Sequence, residues 1–282
     1  MRKPIASDSF YPSSPMELYE QVRKFFVSSK KEDVEIAIAP HAGYAYSGKC
    51  AGEVYSRFKT KEKVDTIILL GPNHSGIGPK IGLSFQNFLT PFGKIENDLD
   101  FGKLILRKSE EENLDVGENE DAHNKEHSLE VQLPFLQTVF GKEIKITPII
   151  LKDFTYEECM IFAKIIYFSI KSLNQKIKII ISSDFSHYGK LYGFIPFEND
   201  VREKLYNLDD KAVKFILDLD SEKFYEYALS DTTICGTFAI TIGIELAKLL
   251  NAVNVEKVCF YNSGNITGDY ENCVNYIGVV FW

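Results

Sequence analysis

Three segments of this chain share one pattern, an uninterrupted apolar run that stops at a Gly-, Pro- or Ser-bearing loop with a histidine in it. They are VEIAIAPH (34–41), DTIILLGPNH (65–74) and KIKIIISSDFSH (176–187). A run that is apolar at successive residues suits a strand buried on both faces, and such strands belong to parallel sheets covered by helices. Stretches with helical spacing lie at 98–107, 155–173, 197–224 and 237–249, and an earlier one runs through Met16, Leu18, Val22, Phe25 and Phe26. The alternation predicts an α/β fold, a central mainly parallel or mixed sheet flanked by helices. EIKITPII (143–150), EKVCFYN (256–262) and VNYIGVVFW (274–282) are further strands. Pro148 lacks an N–H for the ladder, which predicts an edge or irregular position for the first of these. The glycines of HAGYAYSGK (41–49) predict a tight connection before a helix near 49–58. No linker-like stretch interrupts the chain, so one domain over 1–282 is expected.

At 282 residues the chain can bury a sufficient core without disulfides or structural zinc. Its 32 Lys+Arg against 40 Asp+Glu give a net charge of -8, which argues against wrapping by nucleic acid or adhesion to an anionic membrane. The five cysteines, Cys50, Cys159, Cys235, Cys259 and Cys273, contain no CxxC pair, against a disulfide scaffold or a four-cysteine zinc site. No apolar segment follows the basic start and none is long enough to span a bilayer, so a reducing, cytoplasmic setting is expected. No nucleotide or flavin is indicated.

The five histidines carry most of the chemical information. In an open parallel sheet, ligands gather beyond the carboxyl ends of the strands, so His41, His74 and His187 are expected to converge although far apart in sequence. His123, in the acidic stretch 108–125, reads as exposed or locally bonded. His127 lies in EHSLEVQLPFL beside Glu126 and one helical step from Glu130; it either orients or binds a ligand or is structural, and Ser128 is a possible helix cap. Two imidazoles do not make a metal site, and the third donor is Asp184 in SSDFSH or Cys235 in DTTICGTF. Cys235 precedes a helical stretch, where the dipole and a nearby metal would favour thiolate. The other four cysteines read as packing residues.

The segments APHAGYAYSG (39–48), LGPNHSG (70–76), EHSLEVQLPFL (126–136), SSDFSHYG (182–189) and DTTICG (231–236), with FYP at 10–12, occur in this order. In them the chain resembles the Memo family over essentially its whole length. It departs at Asp8, a place often held by glycine. The resemblance implies a fold similar to the class III extradiol, non-haem iron dioxygenases. It also implies metal-associated residues at His41, His74 and Cys235, and an acid/base histidine at His187. The dioxygenases generally use two histidines and a glutamate; Cys235 stands where that carboxylate is expected, which argues against ring cleavage.

The expected function is therefore a metal or small-ligand pocket holding Fe(II), with copper as the alternative, in a redox role. The alternatives are a non-haem iron dioxygenase for an aromatic or enolic substrate, and a protein-interaction or phosphopeptide-binding module. In the enzyme reading His187 exchanges a proton, Asp184 orients it or anchors its loop, and Tyr44, Tyr46 and Tyr188 line the entrance. His187 should lie farther from the metal than the three ligands. Expected partners are a small molecule or peptide and, by resemblance, a radical-SAM or AMMECR-type protein, since the chain has no CxxxCxxC cluster of its own.

Overall fold

The computed structural model describes residues 1–28, 30–59, 63–173 and 175–282. Its strands are β1 (Ile36–Ala39), β2 (Thr66–Pro72), β3 (Ile81–Leu83), β4 (Phe88–Thr90), β5 (Gly93–Asn97), β6 (Val116–Glu118), β7 (Lys145–Leu151), β8 (Ile177–Ser182), β9 (His187–Gly189), β10 (Val255–Asn262) and β11 (Asn272–Phe281). Its helices are α1 (Pro15–Phe25), α2 (Tyr44–Tyr55), α3 (Leu99–Glu111), α4 (Glu120–His123), α5 (Leu133–Phe140), α6 (Tyr156–Ser172), α7 (Val201–Leu217), α8 (Ser221–Asp231), α9 (Thr237–Leu250) and α10 (Gly264–Thr267). The strands form one mixed sheet in the order β10-β11-β1-β8-β2-β7-β3-β6, with β5 also on β7, β4 on β5 and β9 on β11.

The apolar runs become the buried centre of this sheet. β1, β8, β2 and β7 are mutually parallel neighbours. Successive side chains of a strand point to opposite faces, so β1 places Ile36 and Ile38 against α6, α8 and α9, and Ala37 and Ala39 against α1, α2 and α5. The two layers explain why both faces of β1 are apolar. Helix starts follow local chemistry: Ser14 and Asp98 cap α1 and α3, and Thr155 and Glu158 form a reciprocal capping box on α6.

Two expectations change. β7 is an interior strand, with β2 on one side and β5 and then β3 on the other. Pro148 fits because it falls between Ile146, the last residue paired to β5, and Ile149, the first paired to β3; its carbonyl still accepts from Ser84 N at 3.3 Å. α2 begins at Tyr44 rather than near residue 49, with Gly43 as its cap residue. Gly48 and Gly52 lie inside the helix because Phe25 of α1 occupies the space their Cβ atoms would need.

Candidate metal centre

The parallel register decides which residues meet. Ala39 of β1 pairs with Ser182 of β8, and Ile181 of β8 pairs with Leu70 of β2. The three strands therefore end close together, and His41, Asp184 and His74 emerge at one edge. The loop after α4 brings His127 to the same place, and the loop between α8 and α9 brings Cys235.

One nitrogen from each of His41, His74 and His127 lies within 4.8 Å of the others. The His74 and His127 rings stack at 5.1 Å and 10°, and His41 stands edge-on to both, at 5.3 and 5.5 Å. Cys235 Sγ is 3.2 Å from His41 Nε2. His41 is buried, His127 and Cys235 are half-buried, and His74 opens to solvent.

The hydrogen-bond network assigns the tautomers. Ser182 Oγ donates its one hydrogen to Ser128 O at 2.7 Å, so it accepts from Gln132 Nε2 and His41 Nδ1, each at 2.9 Å. His41 thus carries its proton on Nδ1 and presents a bare Nε2 to Cys235. Glu126 does the same for His74, accepting from its Nδ1 at 2.9 Å and its backbone N–H at 2.7 Å. An imidazole whose far nitrogen is held by an oxygen is oriented as a metal ligand requires.

Burial pushes the His41 pKa well below its ordinary value, and the neighbouring imidazoles add to this. Burial acts against the charged forms of His74 and Glu126 too, but their mutual bond outweighs it, raising His74 and holding Glu126 down to about 2. Burial, with Asp184 nearby, raises the Cys235 thiol well above its usual value. In the metal-free protein burial thus favours the thiol form of Cys235; the thiolate expected before α9 called for a nearby metal as well as the helix end.

Asp184 does not orient His187. Its Oδ1 accepts from His41 N at 2.8 Å, anchoring the β1 loop, and burial pushes its pKa up to about 7. Thr233 holds His187 instead, its hydroxyl oxygen accepting from the backbone N–H at 2.8 Å and its carbonyl from Nδ1 at 3.2 Å. His187 perturbs the His41 titration but stands outside the three-histidine group. Of the tyrosines, Tyr46 is exposed, whereas Tyr44 is packed on Phe135 with its hydroxyl on Val131 O, and Tyr188 is stacked on Phe197 with its hydroxyl on Phe197 O. Tyr192, not singled out from sequence, sets its ring 5.1 Å from His187. Ser128 caps no helix; its hydroxyl points to Pro72 O at 3.4 Å.

His123 is buried rather than exposed, its Nε2 3.0 Å from Gly82 O. It shares its loop with Glu126, and Arg2 braces that loop, donating to His123 O at 2.7 Å and Glu126 O at 2.6 Å while pairing with buried Glu130 at 2.7 Å. Sequence reasoning missed Arg2, Ser182 and Gln132 as supports, and placed Glu126 beside His127 without its bond to His74. A polar residue inside an apolar run, such as Gln132, is the signal that was available.

The family model described as Memo-like protein matches residues 2–280. The chain belongs to the Memo family. Its relatives include a MEMO1 family protein of Aquifex aeolicus, 38% identical over 285 residues, which span 100% of this chain and 99% of the relative. One from Methanococcoides burtonii is 36% identical, covering 95% of this chain and 96% of its own length. A third, from Pyrococcus furiosus, is 34% identical with 99% and 98% covered. The Memo match thus takes in every segment that supplies the cluster. No helix among the described residues is long and apolar enough to cross a membrane.

Proposed function

We propose that this Memo-family chain is a metal-binding protein whose centre is held by His41, His74 and Cys235, with His127 beside them as a fourth donor. The observation that carries this reading is the convergence of three imidazole nitrogens within 4.8 Å, with a thiol 3.2 Å from one of them. Imidazole and thiol donors suit iron or copper better than magnesium or calcium, and a bound metal would displace the proton from Cys235. Such a metal would supply one-electron redox chemistry or a Lewis-acidic position. The chain's own part is to fix the imidazole orientations through Ser182 and Glu126 and to keep His41 neutral. The five free cysteines accord with a reducing, cytoplasmic setting.

A second reading, oxygenation of an aromatic or enolic substrate, draws on His187, whose Nδ1 donates to Thr233 O at 3.2 Å, the tautomer that leaves the lone pair on the other ring nitrogen. The first test is anaerobic Fe(II) reconstitution with stoichiometry measured before oxygen is admitted. We expect about one metal per chain, lost in His41→Ala, and affinity about 10–100-fold lower in Glu126→Gln. Full iron binding by His41→Ala would overturn the metal reading. Oxygen uptake coupled to ring-opened product from a catechol, abolished in His187→Ala at equal iron content, would establish the second.

A further inference from the structure

A pair of cysteines, Cys50 and Cys259, lies apart from this centre. Gly278 of β11 pairs with Cys259 of β10, next to a register shift between Lys257 and Cys259 that sets an extra residue, Val258, into β10. A Cβ on Gly278 would meet Val54 of α2, and would stand 3.1 Å from Val258 Cγ2 and 3.3 Å from Cys50 Sγ. The missing side chain thus lets α2 settle onto the sheet with Cys50 above the residue directly opposite Cys259. Cross-strand partners project to the same face within about 5.5 Å of one another, and Cys50 and Cys259 share one side-chain cluster and a thiol–thiol interaction. Cys50 is buried, whereas Cys259 is half-buried and lines an open cleft of about 470 Å³ with Tyr46, Lys49 and Tyr261.

We propose that Cys50 and Cys259 form a reversible disulfide on exposure to a peroxide-class oxidant, stapling α2 to β10. The half-buried Cys259 sulfur attacks a peroxide oxygen; an S–O bond forms, the O–O bond breaks and one water leaves. The Cys50 sulfur then attacks the Cys259 sulfur; the S–S bond forms, the S–O bond breaks, and the Cys50 proton leaves with the hydroxyl as the second water. Two thiols are oxidised by two electrons and one peroxide is reduced to two waters. Because α2 starts three residues beyond His41, the staple would clamp the element that leaves the histidine-bearing loop. This inference does not depend on metal binding.

The test treats the full-length protein with hydrogen peroxide, alkylates it under denaturing conditions without reductant and maps the peptides by mass spectrometry. The expected product joins the Cys50 and Cys259 peptides, disappears on dithiol reduction, and melts about 5–10 °C above the reduced form because it closes a long loop. Cys259→Ser should leave Cys50 fully alkylated. Cys50→Ala, checked for folding by circular dichroism, should leave Cys259 as a sulfenic acid trapped by dimedone. The proposal fails if Cys50 remains alkylatable while Cys259 is oxidised, if Cys259 joins a different cysteine, or if Cys259 resists oxidation altogether.

Discussion

His123 shows how far one side chain can depart from the character of its sequence neighbours. Burial drives its pKa down to about 4, against the Gly82 carbonyl, which favours the proton, and with Arg2, which repels it. A histidine whose folded pKa lies below its unfolded value near 6.5 is neutral in the fold but takes up a proton when unfolded. Its contribution to stability is thus complete above about pH 6.5 and is lost as pH falls toward 4, amounting to about 3 kcal/mol. His41, His127 and His187 are lowered by burial as well and act in the same direction. Urea midpoints measured between pH 7 and pH 4 should fall steeply in the wild type. His123→Gln, which keeps a donor for Gly82 O, should be less stable at pH 7 yet lose about 3 kcal/mol less on acidification. Parallel profiles for the two proteins would mean that His123 is not held neutral.

The strand ends show which part of the element scale can be read from local pattern. Continuous apolar runs identify β1, β2 and β8, and helical spacing identifies α3, α6 and α9 to within a few residues, because burial on two faces or on one stripe leaves a local periodicity. Pro148 pointed to an edge or an irregularity; the edge was wrong and the irregularity holds, because the junction between β5 and β3 beside it is a property of the assembled sheet. Gly236 carries a similar tertiary constraint at the start of α9. Its φ of -91° is open to any residue, but an added Cβ would run into the side chain of Ser183, with Oγ only 2.5 Å away, and would approach Ser182 O at 3.0 Å. Gly236→Ala should therefore push the Cys235 loop away from β8, costing about 1–3 kcal/mol. We expect a lower urea midpoint together with weaker metal retention; unchanged values for both would show that the loop yields without moving the thiol.

Across the whole molecule, the cluster exists only while the β1, β2 and β8 edge, the loop after α4 and the loop before α9 are held together. A metal on these donors binds the folded chain far better than the unfolded one, so the proposed function carries a thermodynamic signature. At a free metal concentration about 100-fold above Kd, folding gains about 2.7 kcal/mol, which raises Tm by about 5–10 °C for a chain of this size. Tm should climb with the logarithm of metal concentration in wild type and in His123→Gln, and should stay flat in His41→Ala. A rise in His41→Ala equal to that of the wild type would place the stabilising metal elsewhere.

The sequence by itself determined the α/β layering, the strands that form the sheet centre and, through ordered motifs, the family; it also singled out His41, His74 and Cys235. The layering and the strands rest on local periodicity, and His41 and His74 on residue type at strand ends, all of which can be read along the chain; Cys235 was chosen over Asp184 only through the family resemblance. Only the tertiary structure decided that His127 joins the cluster, that Glu126 grips His74 across 52 positions, and that Ser182 fixes the His41 tautomer. It also decided that Tyr44 and Tyr188 are packed and bonded inside the protein. These outcomes depend on strand register and loop packing, which bring together side chains remote in sequence, and on burial, which sets the charge each of them carries.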